Sequence, residues 1–385
     1  MLAITKAKIL TMAGPEIDCG TILIDGGKIF QVGPDIVIPK GTKVIDASGM
    51  TVMPGLIDAH CHVGILEETY RIEGNDLNEM TDPVTPHLRA IDAINPEDIG
   101  FADALEGGVT TVVTGPGSSN VIGGVNLAMK TAGTVVDQMI VKNPVGLKIA
   151  FGENPKRIYG GGQKTPMTRM ATAALLRENL VKAQNYLKKL EQGKRDPKKL
   201  PDRDLKMEIL VEVLQGNIPL RAHAHRADDI MTAIRIAEEF KVNLVIEHCT
   251  EGFKIVDELV SRNIPAIVGP VLTNRSKVEL QFRTNENAGI LSKAGVKVAI
   301  MTDHPVIPIN YLSLSAALAV KAGMDESDAL KAITVNAAEI IGVSDRVGSI
   351  VPGKDADLII LDGPLLKFET TVKMVIIEGK IVLSA

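Results

Sequence analysis

Only three cysteines, Cys19, Cys61 and Cys249, occur in the 385 residues of this chain, too few and too scattered for a disulfide framework. A reducing compartment is expected. Positive charge is not in excess either: 42 Lys and Arg stand against 47 Asp and Glu. Binding nucleic acid through its phosphates needs a basic face to displace counterions, so no nucleic-acid partner is expected. The densest basic run, "KKLEQGKRDPKKL" at 188–200, reads as a solvated helix end and turn. No apolar run approaches the length that spans a bilayer, and no basic start followed by an apolar stretch marks a leader. Trp is absent and aromatics amount to 3%, yet hydrophobic residues make up 45% and charged residues 23%, the balance of a globular protein. Disorder, a coiled coil and a membrane partner are set aside, and a soluble, cytoplasmic protein is expected.

What is present is a rhythm of strands. Near the N-terminus, "AKILTM", "TILIDGGKIFQVG" and "TKVIDASGMTVMPG" alternate β-like runs with glycine turns, and "DGGK" reads as a hairpin turn. The tail repeats the style in "GSIVPGKDADLIILDG" and "VKMVIIEGKIVLSA". Each end is too small for a core of its own, so residues 1–53 and 345–385 are expected to pair into one small β domain. Between them, over 54–344, apolar runs alternate with helical patterns. Strands are expected at "GLIDAHCH", "GVTTVVTG", "VGLKIAF", "IPLRAHAH", "VNLVIEHC", "IPAIVGP" and "VKVAIMTD", with an eighth near "VVDQMIV". Helices are expected at 168–192, 204–215, 228–240, 252–262 and 312–322. Strand-then-helix repetition implies right-handed crossovers and a parallel sheet. Eight such units predict an α/β fold, a closed (β/α)8 TIM-like barrel.

The histidines then fall into place. His60, His62, His223, His225 and His248 close strand-like runs, and His304 follows Asp303 at the end of the last one. A parallel barrel opens the C-terminal ends of its strands onto one face, so these residues converge. Side chains alternate along a strand, which sends His60 and His62 to the same side and Cys61 to the other. Two imidazoles with His248 and the Asp303 carboxylate form a nitrogen-rich set with one oxygen. Zn²⁺ suits it, and Fe²⁺, Mn²⁺ or Co²⁺ can share it. A His-x-His pair alone is more often a surface pair or a satisfied core group; the further strand ends bearing His or Asp change that balance. His87, in "DPVTPHLRAIDAINPED", reads as a loop residue ahead of a substrate contact. Cys61 and Cys249 read as small buried fillers.

Together "PGLIDAHCHVG", "GVTTVV", "AHAH", "IEHCTEG", "TDHP" and "TVNAAEIIGVSDRVGSIVPGKDADLIILDG" resemble the amidohydrolase superfamily, in the branch of imidazolonepropionase and prolidase-like enzymes. The resemblance covers essentially the whole chain, including a small β-sandwich domain built from both termini. It implies metal ligands at His60, His62, His223, His248 and Asp303, with His223 preferred to His225 because it stands first in "HAH". In the fourth strand it implies either Lys148, carbamylated and bridging two metals, or Glu153, or neither; one or two metals per chain follow.

The activity implied is metal-dependent hydrolysis of an amide or cyclic amide C–N bond, or of a dipeptide-like amide. Asp303 would act as general base and acid, with His225, His248 or His304 steadying the oxyanion. The segment 152–171 is expected to form a loop over the barrel mouth. Its Arg157, Lys164 and Arg169 read equally as partners for a substrate carboxylate and as solvated loop residues. Two alternatives stay open: a deaminase of a heterocyclic amine, and a degenerate metal-binding scaffold. The partner expected is a small-molecule substrate; a homo-oligomer is only a habit of the superfamily.

Overall fold

The computed structural model describes residues 1–69 and 72–384. Eight strands curve into a nearly closed barrel: β1 (Leu56–Cys61), β2 (Val109–Thr114), β3 (Ile122–Lys130), β4 (Ile140–Ala150), β5 (Leu220–Ala224), β6 (Leu244–His248), β7 (Ala266–Val268) and β8 (Val298–Ile300). Every residue of β1, β2, β5 and β6 is buried, as expected of strands covered on both faces. Between β5 and β6 lies the helix Ala227–Phe240. The helices Arg169–Arg195 and Leu205–Leu214 begin on Thr168 and Asp204, whose side chains accept bonds from backbone N–H groups of the first turn.

One strand departs from the parallel pattern. β3 runs antiparallel to both β2 and β4, and the expected strand near 135–141 is a helical turn, Val136–Met139, that leads into β4. The β3 sequence, "IGGVNLAMK", carries two glycines and an asparagine, a weak strand signal. All nine of its residues are nevertheless buried, so packing on both faces overrides local preference. The expected loop at 152–171 is also largely helical, with Glu153–Gly161 forming an α-helix.

The barrel interior is filled from the strands: Ile57, Ala59, Val113, Ala128, Val145, Val245, Ile267 and Ala299 form one cluster, with Ala337, Ala338 and Ile341 packed against it. β8 and β1 are not laddered to each other, and side chains and loop bonds close the gap. Asp58 accepts hydrogen bonds from the Thr302 N–H at 3.1 Å, from the Thr302 hydroxyl and from the His60 N–H at 3.2 Å. Just beyond, the His62 N–H donates to the His304 carbonyl at 2.9 Å.

The termini build a separate eight-stranded sheet. Thr51–Pro54 pairs with Leu358–Leu361 antiparallel and with Leu2–Ile9 parallel, which joins the two ends of the chain. The expected hairpin connects Ile17–Asp25 to Lys28–Gly33. Its Gly26 and Gly27 adopt φ of 54° and 80°, the pair of left-handed residues a two-residue turn needs. Among the described residues no helix is long and apolar enough to cross a membrane.

Barrel and terminal sheet meet at a buried ionic cluster. Lys130, at the end of β3, donates to Asp355 at 2.9 Å and to Asp357, while Arg346 reaches Asp355 at 2.8 Å. Replacing Lys130 by Met leaves Asp357 buried without a cation, so Lys130→Met is expected to destabilise the fold by about 3–5 kcal/mol. A urea unfolding midpoint equal to that of the wild type would show that the pair contributes nothing.

Candidate metal centre

Ile57 and Ala59 face the barrel interior, so simple alternation would turn His60 away from it. Pairing with β2 advances three residues from Asp58 to Cys61 while the partner advances two, from Val112 to Thr114. This extra residue resets the phase. His60 and His62 then both line the same cavity, while Cys61 packs in the outer core. Across it stands Asp303, whose Oδ1 lies 3.1 Å from His60 Nε2 and 3.3 Å from His62 Nε2.

The second wall comes from β5 and β6. His223 and His225 stand two residues apart at the end of β5, with ring centroids 4.7 Å apart, and His248 lies 4.3 Å from His223 and 4.5 Å from His225. His248 follows the inward Val245 and Glu247, so it too should point outward. Its φ of 69° turns it in, and Asp303 has φ of 57°. Left-handed backbone at non-glycine residues is strained, and such strain gathers at functional sites.

The five imidazoles are buried, and their hydrogen bonds set them up as donors. His62 Nδ1 and His248 Nδ1 face the carbonyls of Gly115 and Gly269 at 2.8 and 2.9 Å. A carbonyl only accepts, so both Nδ1 atoms carry the proton and both Nε2 atoms keep a free lone pair. Burial, reinforced by neighbouring imidazoles, holds His62 below and His223, His225 and His248 well below the usual pKa. Burial works against a charged His60, but Glu247 and Asp303 outweigh it and raise its pKa. Asp303 is also opposed by burial, yet His248, His60 and His62 hold its carboxyl well below the ordinary range. His223 has no partner at either nitrogen, and His225 Nε2 has none. Two groups, His60 with His62 and Asp303, and His223 with His225 and His248, each gather ligand atoms within 4.8 Å of one another. This donor set fits a divalent cation such as Zn²⁺.

The model of the family described as "Amidohydrolase family" matches residues 51–382. The chain belongs to the amidohydrolase family. The amidohydrolase tasK of Hapsidospora irregularis is 27% identical over 388 residues, 94% of this chain but 39% of that protein. Adenine deaminase 1 of Latilactobacillus sakei is 24% identical, covering 98% of this chain and 57% of that one; this chain therefore spans about half the length of these two relatives. An imidazolonepropionase of Porphyromonas gingivalis is 24% identical over 94% of this chain and 86% of its own. The crystal structure of an amidohydrolase from Thermotoga maritima superposes with a TM-score of 0.98 at 46% identity over the full length of both chains. A Xaa-Pro dipeptidase at 17% identity and a TM-score of 0.59 shares the fold.

In this amidohydrolase the cavity of about 420 Å³ is lined by His60, His62, His223, His225, His248 and Asp303, together with Lys148 and Arg157. Other residues named from the sequence lie elsewhere. Glu153 does not line the cavity; its Oε2 accepts from the Glu279 N–H at 2.9 Å. His304 is buried behind the wall, where its Nδ1 accepts from the Ile309 N–H at 3.2 Å and burial lowers its pKa to about 4. Arg169 pairs with Asp229 at 2.9 Å, Lys164 is exposed, and His87 sits half-buried on the outlying strand Val84–Arg89.

Lys148 has a partner that sequence reasoning missed. Its Nζ donates to Glu247 Oε2, while Glu247 Oε1 is held by Arg221 at 2.8 Å and lies 3.1 Å from His60 Nδ1. Burial lowers the Lys148 pKa, against the pull of Glu247. Charged residues inside "IPLRAHAH" and "VNLVIEHC" were the available signal, because a charge in a fully buried run requires a partner. Asp58 was visible in the same way within "GLIDAH". Glu279, in a loop, left no such mark.

Asp58 fixes the spacing between the strand that bears His60 and the one that leads to Asp303. An Asp58→Asn protein puts an amide donor against the Thr302 donors. It is expected to bind Zn²⁺ about 10–100-fold more weakly, measured by competition with a chromophoric chelator. Unchanged affinity would remove Asp58 from the support of the site.

Proposed function

We propose that this metal-dependent amidohydrolase cleaves the C–N bond of a small amide, most simply a cyclic amide or an N-acyl amino acid, with Asp303 as general base and then general acid. The observation that carries the reading is the Asp303 carboxyl, ionised, touching both His60 and His62, and facing a cavity sized for a small molecule. A divalent cation held by His60, His62, His248 and Asp303 would supply Lewis acidity, polarising a carbonyl and lowering the pKa of a water toward about 7. Asp303 takes the proton of the attacking water and returns it to the leaving nitrogen, the shuttle that acid–base catalysis of amide hydrolysis requires. His62 and His248, fixed by the Gly115 and Gly269 carbonyls, keep their orientation throughout. Arg157, exposed at the cavity edge, offers a guanidinium to a substrate carboxylate.

Similarity to an imidazolonepropionase over 94% of the chain supports the ring-amide reading. Similarity to adenine deaminase 1 over 98% of it favours, as the second reading, removal of an exocyclic amine. A panel of cyclic amides, N-acyl amino acids, dipeptides and aminoheterocycles separates the two: ring opening or a new carboxylate supports hydrolysis, and ammonia release without ring opening supports the deaminase. Chelation of the metal is expected to abolish turnover. Asp303→Asn is expected to lower kcat by about 10²–10⁴ while His60 and His62 retain part of the metal. Full turnover in either experiment would overturn the proposed role of Asp303 or of the metal.

A further inference from the structure

Among the described residues, the charged side chains that line the cavity are one acid, Asp303, and three bases, Lys148, Arg157 and Lys277. Lys148 is occupied by Glu247. Arg157 is exposed, and no acidic side chain among the described residues pairs with it. Lys277 meets only Glu279 Oε1, at 3.7 Å, which is beyond hydrogen-bond reach. Two cationic groups with unused donors therefore face a cavity whose one carboxylate is already engaged by His60 and His62.

The elements that carry these two bases are fastened to each other. Arg157 lies on the helix Glu153–Gly161 after β4, three residues beyond Asn154, so both share the helix face that lines the cavity. Lys277 precedes the short turn Val278–Leu280 in the segment after β7. Glu279 Oε2 accepts from the N–H of Glu153, the first residue of the Arg157 helix, at 3.0 Å, and the Glu279 N–H donates back to Glu153 Oε2 at 2.9 Å. The backbone makes room for this clasp: Gly152 has φ of 85°, and a Cβ there would overlap Glu279 Oε2. Glu279, 1% exposed, thus holds the Arg157 helix with one oxygen and turns the other, which has no hydrogen-bond partner, toward Lys277.

We infer that the substrate carries an acidic group and that Lys277, acting with Arg157, binds it and so determines specificity. A carboxylate offers acceptors to both side chains at once, and such charge-assisted hydrogen bonds are about twice as strong as neutral ones. A neutral aminoheterocycle or an unsubstituted cyclic amide leaves both cations unpaired. Glu153 and Glu279 are positioning residues, since they set the two bases relative to each other and do not line the cavity. The inference rests on the hydrolytic reading proposed above and narrows it to amides that bear an acid, with Lys277 as the residue that selects them.

The test compares matched pairs of compounds on the metal-loaded full chain: N-acetyl amino acids against their carboxamides, and a cyclic amide bearing a carboxymethyl group against its carboxamide. The wild type is expected to prefer the acids in kcat/KM by about 10–100-fold. Lys277→Met is expected to remove most of that preference through KM, with kcat little changed, and Lys277→Arg to restore it. Arg157→Met serves if Lys277→Met does not fold. Acids and carboxamides hydrolysed at equal kcat/KM, or a preference that both Met variants leave unchanged, would overturn the inference and leave the hydrolytic reading standing. Ammonia release from neutral aminoheterocycles with every amide left intact would overturn both. If no compound is turned over, the hydrolytic reading fails and the same pairs are titrated calorimetrically: tighter binding of the acid that Lys277→Met abolishes upholds the role of Lys277, and equal or undetected binding overturns it.

Discussion

Glu247 has no exposed surface, and three other barrel strands reach for it: Lys148 from β4, Arg221 from β5 and His60 from β1. Removing the Glu247 carboxylate and its basic partners from water is costly, and their mutual attraction in the interior offsets it only when the geometry is close. Arg221 Nη2 also donates to the Ala59 carbonyl at 2.6 Å, which ties β5 to β1 across the barrel. Burial opposes ionisation of Glu247, yet His60, Lys148 and Arg221 hold its carboxyl well below the usual range. The histidines that line the cavity are built on this floor: His60 touches it directly, and His223 and His248 sit one or two residues beyond its members on the same strands.

Much of this was legible in the order of residue types. Period-two alternation and the repetition of strand and helix indicated a barrel with its histidines on one rim, because these patterns depend on local geometry. Four of the expected helices match the structure closely, the longest being Arg169–Arg195. β3 was missed because its residues favour no strand and are held in one by burial alone. The aim of His60 and His248 was right for an incomplete reason: an extra residue in β1 and a left-handed φ at position 248 redirect them. Both are backbone events that residue identity does not announce.

Long-range pairing was less visible than placement. That Glu153 would engage Glu279 and that Arg169 would pair with Asp229 both depend on how loops fold back over the mouth. His304, next to Asp303 in sequence, faces the Ile99–Glu106 helix instead of the cavity; a Cβ on Gly100 would lie 2.8 Å from its Nε2. Adjacent residues at a strand end separate into different environments within one peptide unit.

The sheet that joins the two termini sets an order on folding during synthesis. Thr51–Pro54 leaves the ribosome early, but its partner Leu358–Leu361 follows roughly 300 residues later, about 15–60 s at typical elongation rates. For that interval the N-terminal strands expose an unpaired edge, which invites pairing with other chains. The barrel, whose neighbouring strands are mostly close in sequence, can form first and leave the terminal sheet to close last, like a clasp.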